Sequence, residues 1–162
     1  MKELIIQAVA GVNNLPEMQV VLVDFLRKRS NKVHRVGYVA GIISSEGLEK
    51  IPENTAKLEE YTVLMSQKYP NDAFFSAAYV FTTSVYERLE EFRLPKEARD
   101  EAFKGFWRGV LANGGVTDVS FTPRFRKSTG ARDEHDFTIK LGLPHQFIMQ
   151  SRPGRLIVRN CC

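Results

Sequence analysis

Short apolar runs alternate with longer amphipathic ones along this chain, and that alternation limits the architecture more than any other feature. "ELIIQAVAG" (3–11) reads as a strand, and "EMQVVLVDFLRKR" (17–29) as an amphipathic helix ending in the basic residues that a helix C-terminus favours. "HRVGYVAGII" (34–43) is a second strand, and "NTAKLEEYTVLMSQKYP" (54–70) a helix opened by an Asn54 cap and stopped near Pro70. The aromatic run "AFFSAAYVFTT" (73–83) follows as a strand. "VYERLEEFRL" (85–94) and "PKEARDEAFKGFWRGVLANGG" (95–115) are helical, the latter closed by glycines. "VTDVSFT" (116–122) is a strand, a helix starts at about Gly130, and "HQFIMQ" (145–150) and "RLIVR" (155–159) are the last strands. With no hairpin signal between strands, the expected fold is α/β: a single domain with a mostly parallel open sheet and helices on both faces, of the Rossmann-like or flavodoxin-like kind. Ligands bind such sheets beyond the carboxyl ends of the strands, so chemistry is expected in the loops after "VGYVAG" and "VSFTPRF".

Size agrees with that reading. At 162 residues and 43% hydrophobic content the chain supports one well-buried core, hence one domain over 1–162. Lys and Arg number 23 against 19 Asp and Glu, a net +4 spread along the chain with no basic run longer than "RKR" (27–29). That pattern is a solvated surface, and no nucleic-acid partner is expected. The only cysteines, Cys161 and Cys162, are adjacent and last, where neither a disulfide framework nor a zinc site can be built. A reducing, cytoplasmic setting is expected, and with His34, His135 and His145 too few for a ligand set, no metal and no cofactor. No apolar run approaches a membrane span, and the first residues are too short an apolar stretch for a signal peptide. Neither an internal repeat nor a low-complexity segment is present.

The segment "RKSTGARDEHDFTIKLGLP" (126–144) poses a problem. Its helical stripe runs Ala131, Glu134, Phe137 or Thr138, Leu141, which puts a carboxylate on the packing face. An unpaired buried glutamate costs several kcal/mol or takes up a proton, so Glu134 either faces a cleft or pairs with Arg124, Arg126 or Arg132. Ser128, Thr129 and Gly130 precede the helix, where hydroxyls and backbone N–H groups meet the positive end of its dipole. They form either an anion site or an ordinary cap. Asp133 and Asp136 are expected to face solvent. In the other loop, "GYVAGIISSEG" (37–47), Tyr38 lies inside the strand and Gly41 at its end allows close backbone approach. Ser44, Ser45 and Gly47 offer small hydrogen-bonding groups over a ligand, or make a turn. The aromatic run "AFFSAAYVF" reads as core strand and not as a base-stacking platform.

Taken together, residues 35–150 resemble the nucleoside 2-deoxyribosyltransferase superfamily, which includes deoxynucleoside 5′-monophosphate N-glycosidases; residues 1–34 look like an added strand and helix. Tyr38, Gly41 and Ile43 match one family motif, and Ser128, Gly130, Glu134 and Gly142 the other. The resemblance implies that Glu134 faces the sugar as a nucleophile, that Tyr38 orients the sugar or the glutamate, and that Ser128 and the amides near Gly130 hold a 5′-phosphate. The partner implied is then a small-molecule nucleoside or nucleotide, bound also by Gly41, Ile43 and Ser44, whose N-glycosidic bond is hydrolysed or transferred. Glu134 must be ionised to act, as an ordinary glutamate of pKa about 4.3 is when a helix N-terminus or an arginine offsets desolvation. One departure matters. Family enzymes carry an aspartate on the helix before the glutamate loop, where this chain has "GFWRGV" (105–110), with Phe106 or Trp107 nearest. A tryptophan stacks on a base but delivers no proton, and the nearest acids are Asp100, Glu101 and Asp118. The alternative is a non-catalytic nucleotide-binding domain. Relatives build their sites at subunit contacts, so a homo-oligomer is expected with the helix "EAFKGFWRGVL", which carries Phe106, Trp107 and Val110, at or near the interface, unless Trp107 packs on its own sheet.

Overall fold

One-sided burial shapes the longer helices in the computed structural model, which describes residues 1–151 and 155–160, and side-chain caps open two of them. Helix α2 (Leu15–Ser30) starts at Asn14, whose side chain accepts the Glu17 N–H at 2.9 Å, and it buries Leu15, Met18, Leu22 and Leu26. Its last turn carries Arg27, Lys28 and Arg29, as read from the sequence. Before it, the expected strand is instead a helix, α1 (Lys2–Ala8), with Ile5 and Val9 buried and Leu4 exposed. A short apolar run does not fix its own period. The turn that follows this helix is held from far along the chain: the Arg88 guanidinium donates to the Val9 and Val12 carbonyls, both at 2.9 Å.

Strand β1 (Val36–Ala40) is buried at every position. Helix α3 (Ile51–Lys68) begins before the expected cap, with Pro52 in its first turn. Asn54 therefore lies inside the helix, and its amide donates to the Ile43 carbonyl at 3.1 Å, tying the loop after β1 to α3. Strand β2 (Ala73–Ser76) is shorter than its aromatic run, which turns into α4 (Ala77–Val80); α5 (Thr83–Arg88) and a 3-10 turn (Glu90–Arg93) follow. Helix α6 (Lys96–Asn113) ends at Gly114, β3 spans Asp118–Phe121, and α7 (Thr129–Leu141) runs from a Ser128 cap to Gly142 at φ 66°. Strands β4 (His145–Ser151) and β5 (Arg155–Asn160) end the described chain.

These strands form one open sheet in the order β2-β1-β3-β4-β5. β1 runs parallel to β2 and β3, and β3 parallel to β4, as the alternation implied. β5 departs from it, pairing antiparallel with β4 from Gln146↔Asn160 to Ser151↔Arg155. Only residues 152–154 separate the two strands, whereas a parallel crossover needs about a dozen residues or more. Helices cover both faces: alternation along β1 sends Tyr38 toward α6 and α7, and the odd-numbered direction reaches α3, where Gly41 abuts Leu58. Ile5, Met18, Leu22 and Leu26 share one core with Val36, Val39, Phe75 and Phe121, so α1 and α2 belong to the same packed unit. None of the described helices is long and apolar enough to cross a membrane.

At the amino ends of the parallel strands, Arg35 pairs with Asp72 at 2.6 Å, approaches Asp118 at 3.9 Å and stacks on Tyr69. Burial raises the Asp118 pKa although Arg35 pulls it down. This group lies at the edge opposite the strand ends where ligands bind, which removes Asp118 from the acids available there.

Candidate functional site

A cavity of about 520 Å³ opens beyond the carboxyl end of β1, between the loop that follows this strand, the cavity-facing side of α6 and the start of α7. Tyr38, Gly41, Ile43, Ser44, Ser128, Gly130, Trp107 and Glu134 all line it, so the candidate residues read from two distant loops meet in one place.

Deep in this cavity, the Tyr38 hydroxyl donates to Glu134 Oε2 at 3.3 Å, and the Trp107 ring stacks on Tyr38 with centroids 4.6 Å apart. Glu134 is 6% exposed. None of the three arginines weighed as partners pairs with it: Arg124 bonds to Glu46 at 2.6 Å, Arg126 lies over the Phe125 ring, and Arg132 is exposed. Glu134 thus faces the cleft. Burial pushes its pKa up to about 8, the Tyr38 hydrogen bond opposing and the Asp133 charge adding. An ordinary ionised glutamate is expected only where an arginine or the helix N-terminus offsets desolvation; no arginine does so here, and burial favours the protonated carboxyl in the free protein. Burial, then the neighbouring carboxyl, raises the Tyr38 pKa well above that of a free phenol, so Tyr38 stays a donor.

The rest of the α7 stripe is partly as read. Ala131, Glu134 and Thr138 are buried, whereas Leu141 is 40% exposed because the helix tip runs past the sheet. Asp133 does not face solvent: Arg108 of α6 grips it through Nε at 3.0 Å and through Nη2, fastening α6 to α7 beside the site. Asp136 is exposed as expected.

Ser128 Oγ accepts the Ala131 N–H at 3.2 Å and the Ser45 hydroxyl at 3.1 Å. The capping role is thus present, and the same oxygen joins the two loops. A Cβ placed on Gly130 would meet only Ser128 Oγ, at 3.8 Å, so this chain's own packing does not account for the glycine. Gly41 is different. A Cβ there would stand 2.5 Å from Thr122 Oγ1 and 3.0 Å from Leu58 Cδ1, so its own neighbours account for the glycine.

On α6, Lys96, Arg99, Asp100, Phe103, Lys104 and Trp107 recur at helical spacing and form one wall. Asp100 is therefore the acid brought to the cavity; Glu101 points away and pairs with Lys104. Phe106, Trp107 and Val110 are buried within a single chain, at 3%, 6% and 0% exposure, as in the alternative in which Trp107 packs on its own sheet. The sequence reading also missed Phe81, Tyr86 and Phe92, which complete an aromatic wall. Phe81 comes from the run read as core strand, and the turn after β2 delivers it to the cavity while keeping it buried.

His135 and His145 pack with Phe121, Phe125 and Phe147, and no group of three potential metal ligands occurs among the described residues. The arrangement offers a carboxyl beside a phenol at the floor, aromatic rings on one wall, and amides, hydroxyls and Lys127 at the start of α7. The chain matches no family model, no curated protein and no solved structure.

Proposed function

We propose that this protein cleaves the N-glycosidic bond of a deoxynucleoside 5′-monophosphate or deoxynucleoside, with Glu134 as the nucleophile. The observation that carries this reading is the Tyr38–Glu134 pair on the floor of the cavity whose rim is Ser128, Thr129 and Gly130. The motif resemblance to the nucleoside 2-deoxyribosyltransferase superfamily supports it. Breaking the bond builds positive charge at C1′, and a carboxylate held against that carbon stabilises the charge and captures the sugar. Trp107 keeps the Tyr38 ring in place, and the phenol holds one carboxyl oxygen so that the other is free to attack. A 5′-phosphate at the start of α7 would meet the helix dipole, the amide of Gly130 and Lys127. Water then hydrolyses the glycosyl ester, or a second base accepts the sugar.

Incubation with the common deoxynucleosides and their 5′-monophosphates, followed by chromatography for free base, tests the reading. Release from at least one of them is expected. A second reading, a non-catalytic nucleotide-binding domain, draws on the mostly protonated Glu134 and on the lack of an acid at Phe106 or Trp107. It predicts binding of the same nucleotides with no base released.

The phosphate preference depends on Ser128. Ser128→Ala removes the α7 cap, which costs about 1 kcal/mol of stability. It also removes a hydroxyl from the charge-assisted contact, so affinity for a monophosphate should fall by more than about tenfold while a nucleoside is barely affected. Equal losses for both ligands in calorimetric titrations would contradict the phosphate assignment.

A further inference from the structure

Departure of a base from C1′ leaves a pair of electrons on its ring, and among the cavity's polar groups that the proposed reaction has not yet used is a second phenol. Tyr86, on α5, lines the cavity with its ring stacked on Phe81 and set edge-on to Phe92. Phe81 in turn sits edge-on to Trp107, and Trp107 stacks on Tyr38. A continuous chain of rings therefore fixes the Tyr86 phenol relative to the Tyr38–Glu134 pair. Tyr86 is half-buried, and no described side chain hydrogen-bonds its hydroxyl, which leaves that group open to a ligand in the cavity. Burial pushes its pKa up to about 12.

We infer that Tyr86 is a catalytic residue of the proposed glycosidase, its hydroxyl donating a hydrogen bond to the departing base. The inference rests on the reading above and deepens it. As the C1′–N bond breaks, its electron pair goes to the base while a Glu134 oxygen bonds to C1′. The base leaves as an anion held by the Tyr86 O–H, which keeps its own proton. Water then opens the glycosyl ester, its hydroxide joining C1′ and its proton going to the base, so that free sugar, neutral base and the Glu134 carboxylate result. A phenol this reluctant to ionise suits donation of a hydrogen bond better than transfer of a proton. Asp100 is the rival group. It stands seven residues, about 10 Å of helix rise, from Trp107 along α6, toward the outer wall, whereas Tyr86 belongs to the ring chain that contains Trp107 itself.

The test compares Tyr86→Phe, which keeps the ring and removes one oxygen, with the unaltered protein on two substrates. One is the best-cleaved common deoxynucleoside 5′-monophosphate; the other is p-nitrophenyl 2-deoxyriboside 5-phosphate, whose nitrophenolate leaves unaided. On the nucleotide, kcat should fall about a hundredfold with KM little changed, the size of losing one donor to developing charge. On the nitrophenyl substrate the fall should be less than about threefold, while Glu134→Gln is inactive on both. Equal losses on the two substrates, or no loss on the nucleotide, overturn the role of Tyr86 and leave the glycosidase reading intact. If the unaltered protein releases neither base nor nitrophenolate, the glycosidase reading fails and this inference with it. Asp100→Asn showing the same selective loss, with Tyr86→Phe unaffected, would assign the donor to α6 instead.

Discussion

Glu134→Gln should abolish base release and, in the same protein, raise stability at alkaline pH by about 4 kcal/mol. In the unfolded chain this carboxyl loses its proton near the ordinary glutamate value of 4.5, whereas burial in the fold holds it to about 8. Between those values the native state binds more protons than the unfolded state, so native stability falls as pH rises and levels off only above the folded pKa. Glutamine has no proton to lose, and its amide still reaches the Tyr38 hydroxyl. Urea denaturation should therefore give two proteins that agree within about 1 kcal/mol at pH 5 and diverge steadily up to pH 9, the variant being the more stable. Parallel curves would mean that burial does not hold the proton on Glu134. If the Glu134 carboxylate attacks as proposed, the same ionisation sets the rate: kcat/KM of the unaltered protein should climb with pH to a plateau above about 8, and Glu134→Gln should lose more than about 10³-fold at every pH.

How far the sequence carried this picture depended on whether the deciding partner was local. Helices α2, α6 and α7 were legible because the signals lie within each segment: Asn14 or Ser128 at the start, a run of buried positions three and four apart, and glycines at the ends of α6 and α7. β1 and β3 were legible as short apolar runs between such helices. α1 was not legible because the turn that follows it is held by Arg88, far along the chain, which donates to the Val9 and Val12 carbonyls. β5 followed a Pro-Gly pair, an available turn signal, yet was absorbed into the expected parallel pattern. At the site, spacing alone put Glu134 on the inner face of its helix, and that was enough to single it out. Its protonation was not legible, since it depends on burial and on no cation of the surrounding elements pairing with it. Tyr86, Phe81 and Phe92 were not legible either. They reach the cavity through the short turns between β2 and α6, whose path is set by packing and not by periodicity.

Trp107→Ala should cost about 3 to 5 kcal/mol and leave the mass of the native protein unchanged, two results that separate a core residue from an interface one. The ring is 6% exposed within a single chain, stacked on Tyr38 and set edge-on to Phe81 and Phe106. Truncation to alanine opens a hole among rings that no neighbouring side chain can fill without leaving its own rotamer. Since the destabilised protein could unfold before its mass is read, Trp107→Phe provides the control; it retains an aromatic face against Tyr38 and should lose only about 1 to 2 kcal/mol. Thermal melts of both variants, beside light scattering coupled to size exclusion at a temperature below each midpoint, give the answer. If this chain assembles into the homo-oligomer that its motif resemblance implies, the contact uses surfaces other than this ring, and the mass persists in both variants. Conversion of an oligomer to single chains by Trp107→Phe, at an unchanged melting midpoint, would return Trp107 to the interface. Activity adds a third reading of the same substitution. Without the indole, Tyr38 loses the stack that fixes its ring, its hydroxyl no longer holds one oxygen of Glu134, and kcat should fall at a temperature where the alanine variant is still folded.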